Sequence, residues 1–246
     1  MSGHSKWSTI KHKKGALDAK RGRIFTRLIR EITVCARSGG GDPTGNARLR
    51  AAIAAAKEAN MPADNITRAI KKGTGELEGA TLEEVTYEGY GPSGVAVIVE
   101  TVTDNKNRTL PEIRHIFSKH GGNMAAANAV AWMFEKKGYL VVESKSMPED
   151  QLLELVLEAG ADDMSQDGEN FEIFTAPENF ETVKEALKKR DVPIASSEVA
   201  MTPKNSTRVE GPAVRKVLNL VEALEEHDDV QHVWANFDID ESEMEA

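Results

Sequence analysis

Cysteine is almost missing from this sequence of 246 residues: Cys35 stands alone, which excludes an internal disulfide framework and any cysteine-based zinc cluster. Aromatic side chains make up only 5%, and no apolar run approaches the roughly 18 residues that cross a bilayer. The opening MSGHSKWSTIKHKKG lacks the apolar stretch of a secretory signal. Also absent are G-x-x-x-x-G-K-[ST], G-x-G-x-x-G and H-E-x-x-H, the signatures of phosphate-cradling loops and a zinc-protease helix. His4, His12, His115, His120, His227 and His232 form no set with metal-ligand spacing. Cys35 falls among apolar neighbours in a helical pattern, the place of a small core residue and not of a nucleophile. These absences predict a cytoplasmic, reduced protein that is not an enzyme, with no cofactor, no metal, no membrane partner and no small-molecule substrate.

What is present is charge, unevenly divided. The chain carries 31 Lys+Arg against 40 Asp+Glu, a net of −9. Residues 1–80 hold 16 of the basic and 7 of the acidic side chains, a net of +9. That leaves 15 basic and 33 acidic for residues 81–246, a net of −18. Such asymmetry is a stronger clue to partners than the total. It describes a basic head on an acidic body.

Residues 1–15 are polar and aperiodic, an arm expected to stay disordered until a partner orders it. From Ala16 to Ser38 the pattern is an amphipathic helix. At 100° per residue from Lys20, Ile24, Phe25, Leu28, Ile29, Ile32 and Ala36 fall between about 40° and 180°. Lys20, Arg23, Arg27, Arg30 and Arg37 fall between about 260° and 360°, with Arg21 and Val34 as the exceptions. Gly39-Gly40-Gly41 ends this helix, Pro43 suits the first turn of a second, and a third runs from Ala63 to Lys72 with Gly73 and Gly75 as stops. Beyond residue 80 strands begin: Val85–Tyr90 and Val95–Thr103 flank Gly91-Pro92-Ser93-Gly94 as a hairpin. A helix over 109–120 and a strand over 129–135 follow. Residues 139–205 then read β-α-β-β-α-β, and a helix over 211–226 and a strand over 230–238 remain.

The economical fold class is α+β: an N-terminal three-helix domain followed by two ferredoxin-like α/β domains, one inserted in the other. The expected boundaries are 1–80 for the arm and helices, 81–136 plus 206–240 for a discontinuous α/β domain, 137–205 for the insert, and 241–246 for an acidic tail.

The head offers what a phosphate backbone requires. Lys6, Lys11, Lys13 and Lys14 of the arm, with Lys20, Arg21, Arg23, Arg27 and Arg30 of the first helix, supply cations. Trp7 and His12 lie among them as stacking groups. The third helix adds Lys71 and Lys72, a thin set for reading bases in a groove. A second patch, Lys106, Arg108, Arg114 and Lys119, crowds a loop and helix of the acidic body. The alternative is a solvated cationic face with no ligand. Asp162-Asp163 and His227-Asp228-Asp229 read as solvated loop ends, with divalent-cation binding as the alternative, and Tyr87 and Tyr90 as buried strand aromatics, with exposure for stacking as the alternative.

Long stretches resemble the YebC family. They include Gly3-His4-Ser5-Lys6-Trp7, Ile10-Lys11-His12-Lys13-Lys14, Asp18-Ala19-Lys20-Arg21-Gly22, Gly39-Gly40-Gly41-Asp42-Pro43 and Ala59-Asn60-Met61-Pro62. Tyr87-Glu88-Gly89-Tyr90-Gly91-Pro92, Asp104-Asn105-Lys106-Asn107-Arg108-Thr109, Ser118-Lys119-His120-Gly121-Gly122-Asn123 and Trp132-Met133-Phe134 continue the match. One departure is Met124-Ala125-Ala126-Ala127-Asn128, where the family usually has Leu and a Gly-containing loop. The resemblance implies three domains and a cytoplasmic, non-enzymatic regulator of gene expression. Family members are described as DNA-binding transcriptional regulators, with mitochondrial relatives that activate translation of a cytochrome c oxidase subunit. Others act on or near the ribosome, relieving stalling at proline-rich stretches. The implied partner is therefore nucleic acid, DNA or rRNA, with the ribosome as a second possibility.

Overall fold

The computed structural model describes residues 17–240 and Glu243, with side-chain placement from residue 22 onward. The arm, with Lys6, Trp7, Lys11, His12, Lys13 and Lys14, and most of the acidic tail lie outside the described residues. Among the described residues, no helix is long and apolar enough to cross a membrane.

Three helices open the chain: α1 (Leu17–Gly39), α2 (Ala47–Glu58) and α3 (Ala63–Thr74). Ile32, Cys35 and Ala36 of α1 meet Leu49, Ala52 and Ala56 of α2 and Ile66 and Ala69 of α3 in one core. Two boundaries differ from the sequence expectation. Pro43 sits in a turn, and α2 starts four residues later, where the Asn46 side chain accepts the Leu49 N–H at 3.0 Å. The same amide donates to the carbonyls of Cys35 and Gly40, so the cap also ties α2 to the end of α1. Gly73 does not stop α3; it lies inside it. A Cβ there would sit 2.3 Å from the Thr33 carbonyl oxygen, so the missing side chain is what lets α3 lie against α1. The helix ends one turn-position later, at Gly75, whose φ of 82° is left-handed.

The remaining chain forms an α+β pair of layers. β1 (Glu83–Tyr90) and β2 (Ala96–Thr103) make the expected hairpin, followed by α4 (Lys106–Lys119) and the two-residue β3 (Asn123–Met124). Next come β4 (Phe134–Glu143), α5 (Glu149–Glu158), β5 (Ala161–Asp167), β6 (Asn170–Thr175), α6 (Phe180–Lys189) and β7 (Ile194–Pro203). The chain closes with β8 (Thr207–Arg208), α7 (Pro212–Glu225), β9 (Val230–Ala235) and β10 (Phe237–Asp238). One sheet has the order β3-β1-β2-β9 and the other β5-β6-β4-β7, and every neighbouring pair in both is antiparallel.

The second sheet, with α5 and α6, has the ferredoxin-like connection β-α-β-β-α-β. The first shares the layering, four strands under α4 and α7, but is built outward from a central hairpin. Alternation along β2 explains why both faces are apolar. Val95, Val97 and Val99 face α4 and α7, whereas Ala96 and Ile98 face the other sheet. There Ala96, Ile98 and Trp234 pack on Phe134, Tyr139 and Val141, so the two sheets lie back to back with their helices outside.

The expected strand at 129–135 is corrected. Residues 125–133 form a loop ending in a short 3₁₀ turn at Ala131–Met133, and the strand runs over Phe134–Glu143, entirely within the second sheet. The reason is the buried Glu88 carboxylate. It accepts the N–H groups of Asn128, Val130 and Ala131 at 2.6, 2.7 and 2.8 Å, which diverts those donors from any strand ladder. The predicted last strand is also divided. Asn236 turns the chain out of the first sheet, and Phe237–Asp238 pairs in parallel with Thr207–Arg208.

Candidate nucleic-acid interface

α1 has two working faces. Its apolar face builds the helical core, and its arginine face lies on the acidic body. Arg23 pairs with Glu226 at 3.2 Å. Arg27 donates to the carbonyl of Glu225. Arg30 donates to the carbonyls of Val102, at 3.2 Å, and Asp228, and pairs with Asp229 at 2.8 Å. Arg37 reaches the Leu82 carbonyl at 3.0 Å. From α2, Arg48 bridges Glu31 at 2.9 Å and Glu84 on β1. Much of this contact is with the last turn of α7 and the residues after it. A helix C-terminus leaves carbonyls without intrahelical donors and carries partial negative charge, so guanidinium groups suit it. Burial pulls the Arg27 pKa below its ordinary value, with Glu225 opposing. Val34, the apolar exception on this face, is 5% exposed.

Asp229 is the hub of the contact. It is 1% exposed, not a solvated loop end as its sequence context suggested. Its carboxylate accepts from Thr109 at 2.7 Å, Thr103 at 3.2 Å, and both Arg30 and Arg108 at 2.8 Å. Burial alone would raise its pKa. The hydrogen bonds from Thr109 and Arg108 and the charges of Arg30 and Arg108 outweigh it and hold the group at about 2. The carbonyl of the same residue accepts the Val102 N–H at 2.8 Å, which joins the loop to β2.

Beside the hub lies an open groove of about 830 Å³, lined in part by Arg30, Arg108, His115, Glu112 and His227. Ligand atoms of Glu112, His227 and Asp229 fall within 4.8 Å of one another, so a metal must be considered. The donor set argues otherwise. His227 Nδ1 accepts the Asp229 N–H at 3.1 Å, and Nε2 lies 3.0 Å from Glu112 Oε2, so both ring nitrogens are engaged. Both Asp229 oxygens already serve the arginines and threonines. The trio is a self-satisfied network, not an open coordination set.

The other expected contacts divide clearly. Lys20 and Arg21 belong to α1, but their side chains are outside the description. Lys106 pairs with Glu83, and Arg108 with Asp104 as well as Asp229. Lys71 and Lys72 in the last turn of α3, and Arg114 and Lys119 on α4, are exposed. Cys35 is buried, and its thiol is pushed up to about 12 by burial and then by Glu31, which makes it a poor nucleophile. Tyr87 is buried, and Tyr90 is half-buried with its hydroxyl donating to the Ala129 carbonyl at 3.3 Å.

Two family models match the chain, described as the TACO1/YebC protein N-terminal domain over residues 5–76 and the TACO1/YebC second and third domain over residues 82–237. The chain belongs to the TACO1/YebC family. It is 58% identical over 245 residues to a protein of Koribacter versatilis, covering all of this chain and 98% of that one. It is likewise 58% identical over 245 residues to a protein of Geobacter sulfurreducens, covering 99% of it. Both relatives are named probable transcriptional regulatory proteins. The crystal structure of a conserved hypothetical protein from Aquifex aeolicus superposes with a TM-score of 0.84 at 52% identity, over 94% of this chain and 96% of that one. For this YebC-type chain, sequence reasoning missed Asp229, Glu88 and the docking role of Arg37 and Arg48. One signal was available: an apolar Val34 in the middle of a cationic face marks a face that is covered.

Proposed function

We propose that this protein is a non-enzymatic regulator of transcription that binds nucleic acid. Phosphate contact falls to the arm cations Lys6, Lys11, Lys13 and Lys14, to Lys20 and Arg21, and to Lys71, Lys72, Arg114 and Lys119. The observation that carries this reading is the contrast among the cations. Arg23, Arg27, Arg30, Arg37, Arg48, Lys106 and Arg108 have partners on the protein itself. Lys71, Lys72, Arg114 and Lys119 stand exposed with no ion pair among the described residues, as do Lys57, Arg68, Lys188, Lys189, Arg190, Arg215 and Lys216, on a molecule of net charge −9. Cations left unpaired amid excess acid keep their charge for an external anion. The names of relatives 58% identical over the whole length point to transcription as the process served.

The test is fluorescence anisotropy with labelled duplex DNA and a structured RNA of equal length, each from 50 to 200 mM salt. DNA binding that weakens about 10³-fold or more over that range is expected for six or more phosphate contacts. Binding to neither would overturn the nucleic-acid reading. A strong preference for the RNA, with co-sedimentation on ribosomes, would overturn transcription as the process.

A further inference from the structure

Trp132 is 65% exposed, the most exposed large apolar side chain among the described residues. Leaving a large aromatic in water forgoes roughly 2 kcal/mol or more of burial, and this ring is held out by a framework that fixes it from both ends. Upstream, the buried Glu88 carboxylate takes the N–H groups of Asn128, Val130 and Ala131. On either side of the ring, Val130 and Phe134 are 0% and 4% exposed in the core between the sheets. Downstream, the Lys204 N–H donates to the Met133 carbonyl at 2.8 Å. The indole N–H is consumed within its own turn, donating to the Ala129 carbonyl at 3.0 Å. What the ring offers outward is therefore its π surface and not a hydrogen-bond donor. The Lys204 ammonium is anchored 3.2 Å from the Trp132 carbonyl oxygen, and Asn128 and Asn205 are exposed nearby in the chain segments that meet here.

We propose that Trp132 is a stacking platform for an unpaired nucleobase, with the Lys204 ammonium serving the adjacent phosphate. The neighbourhood decides between occupants. A protein hot spot is an aromatic anchor in a desolvated, mostly apolar surround, whereas here the Lys204 ammonium is held at the backbone carbonyl of the same tryptophan, and Asn128 and Asn205, near these two residues in the chain, are exposed. A flat preset ring beside a cation is the arrangement that grips single strands without regard to sequence. The proposal rests on the nucleic-acid reading above and adds to it a preference for unpaired bases.

The experiment uses the full chain with Trp7→Phe, which leaves Trp132 and the buried Trp234 as fluorophores. The probes are twelve-nucleotide oligo(U) RNA, oligo(dT) DNA and a DNA duplex. Both single strands are expected to quench the emission, and the quench is expected to vanish with Trp132→Leu. That substitution should weaken single-strand binding roughly ten-fold, with duplex binding and the melting temperature unchanged; Trp132→Phe should keep most of the affinity. Single-strand affinity equal in Trp132→Leu and its parent would overturn the platform while leaving duplex binding, and hence the broader reading, intact. Absence of binding to every probe would overturn both. A protein partner lost from Trp132→Leu, with all nucleic-acid affinities unaltered, would assign the ring to a protein interface and overturn the proposal.

Discussion

Asp229 concentrates more consequence than any other described side chain, because it is an ionised carboxylate almost removed from water. Its partners, Arg30 from the helical unit and Thr103, Thr109 and Arg108 from the first sheet's unit, make its charge tolerable. Asp229→Asn keeps the shape and removes the charge, and is expected to cost about 3 kcal/mol or more in urea unfolding, since it leaves the largely buried Arg30 with carbonyl partners but no counter-charge. The pH dependence follows from the lowered pKa. An aspartate that titrates near 3.9 unfolded and at about 2 folded adds stability above roughly pH 4 and loses it as the pH falls toward 2. That contribution is roughly 2–3 kcal/mol. Unfolding followed from pH 6 to pH 2 should show a shallower acid loss for Asp229→Asn than for the parent chain. Parallel curves would place the acid-sensitive group elsewhere. None of this was legible in the string His227-Asp228-Asp229, because a histidine and two aspartates before a strand look alike whether they are solvated or covered.

At the scale of the element, α1 is the instructive case. Periodicity located it to within a residue or so and separated its apolar face from its cationic face. What periodicity does not reveal is what the cationic face touches, since arginines meet phosphate and helix C-termini by the same donor chemistry. The exposed Arg23–Glu226 pair contributes at most about 1 kcal/mol and is screened by salt. Arg27 and Arg30, half-buried on backbone carbonyls and on Asp229, supply most of the hold. Replacing Arg23, Arg27 and Arg30 together with Ala should therefore release the helical unit from α7, seen as a larger radius of gyration in small-angle scattering. An unchanged radius would assign the docking to Val34, Arg37 and Arg48. Gly73 makes the complementary point: a glycine that reads as a helix stop is instead a contact point, and only the neighbouring Thr33 carbonyl discloses it.

For the whole molecule, part of the +9 head meets the −18 body across the α1–α7 contact, and on the proposed reading the remaining cations serve an external anion. Deleting residues 1–15 removes four lysines and leaves the described core untouched. It should lower duplex affinity at 50 mM salt and reduce the log–log salt slope by about 3 to 4. The melting temperature should not change, and an unaltered slope would place the phosphate contact on Lys20, Arg21, Lys71, Lys72, Arg114 and Lys119 instead. The sequence by itself determined the α+β class, the three helices, the hairpin and the β-α-β-β-α-β order of the second sheet. Those follow from local periodicity and turn chemistry, which act over a few residues. Only the tertiary structure decided that Glu88 bends residues 125–133 into a loop, that the sheets stack back to back, and which cations are spent inside the protein. The deciding contacts reach from Glu88 to Asn128, 40 positions on, and from Arg30 to Asp229, 199 positions on, and no local pattern records which distant carboxylate a guanidinium will meet.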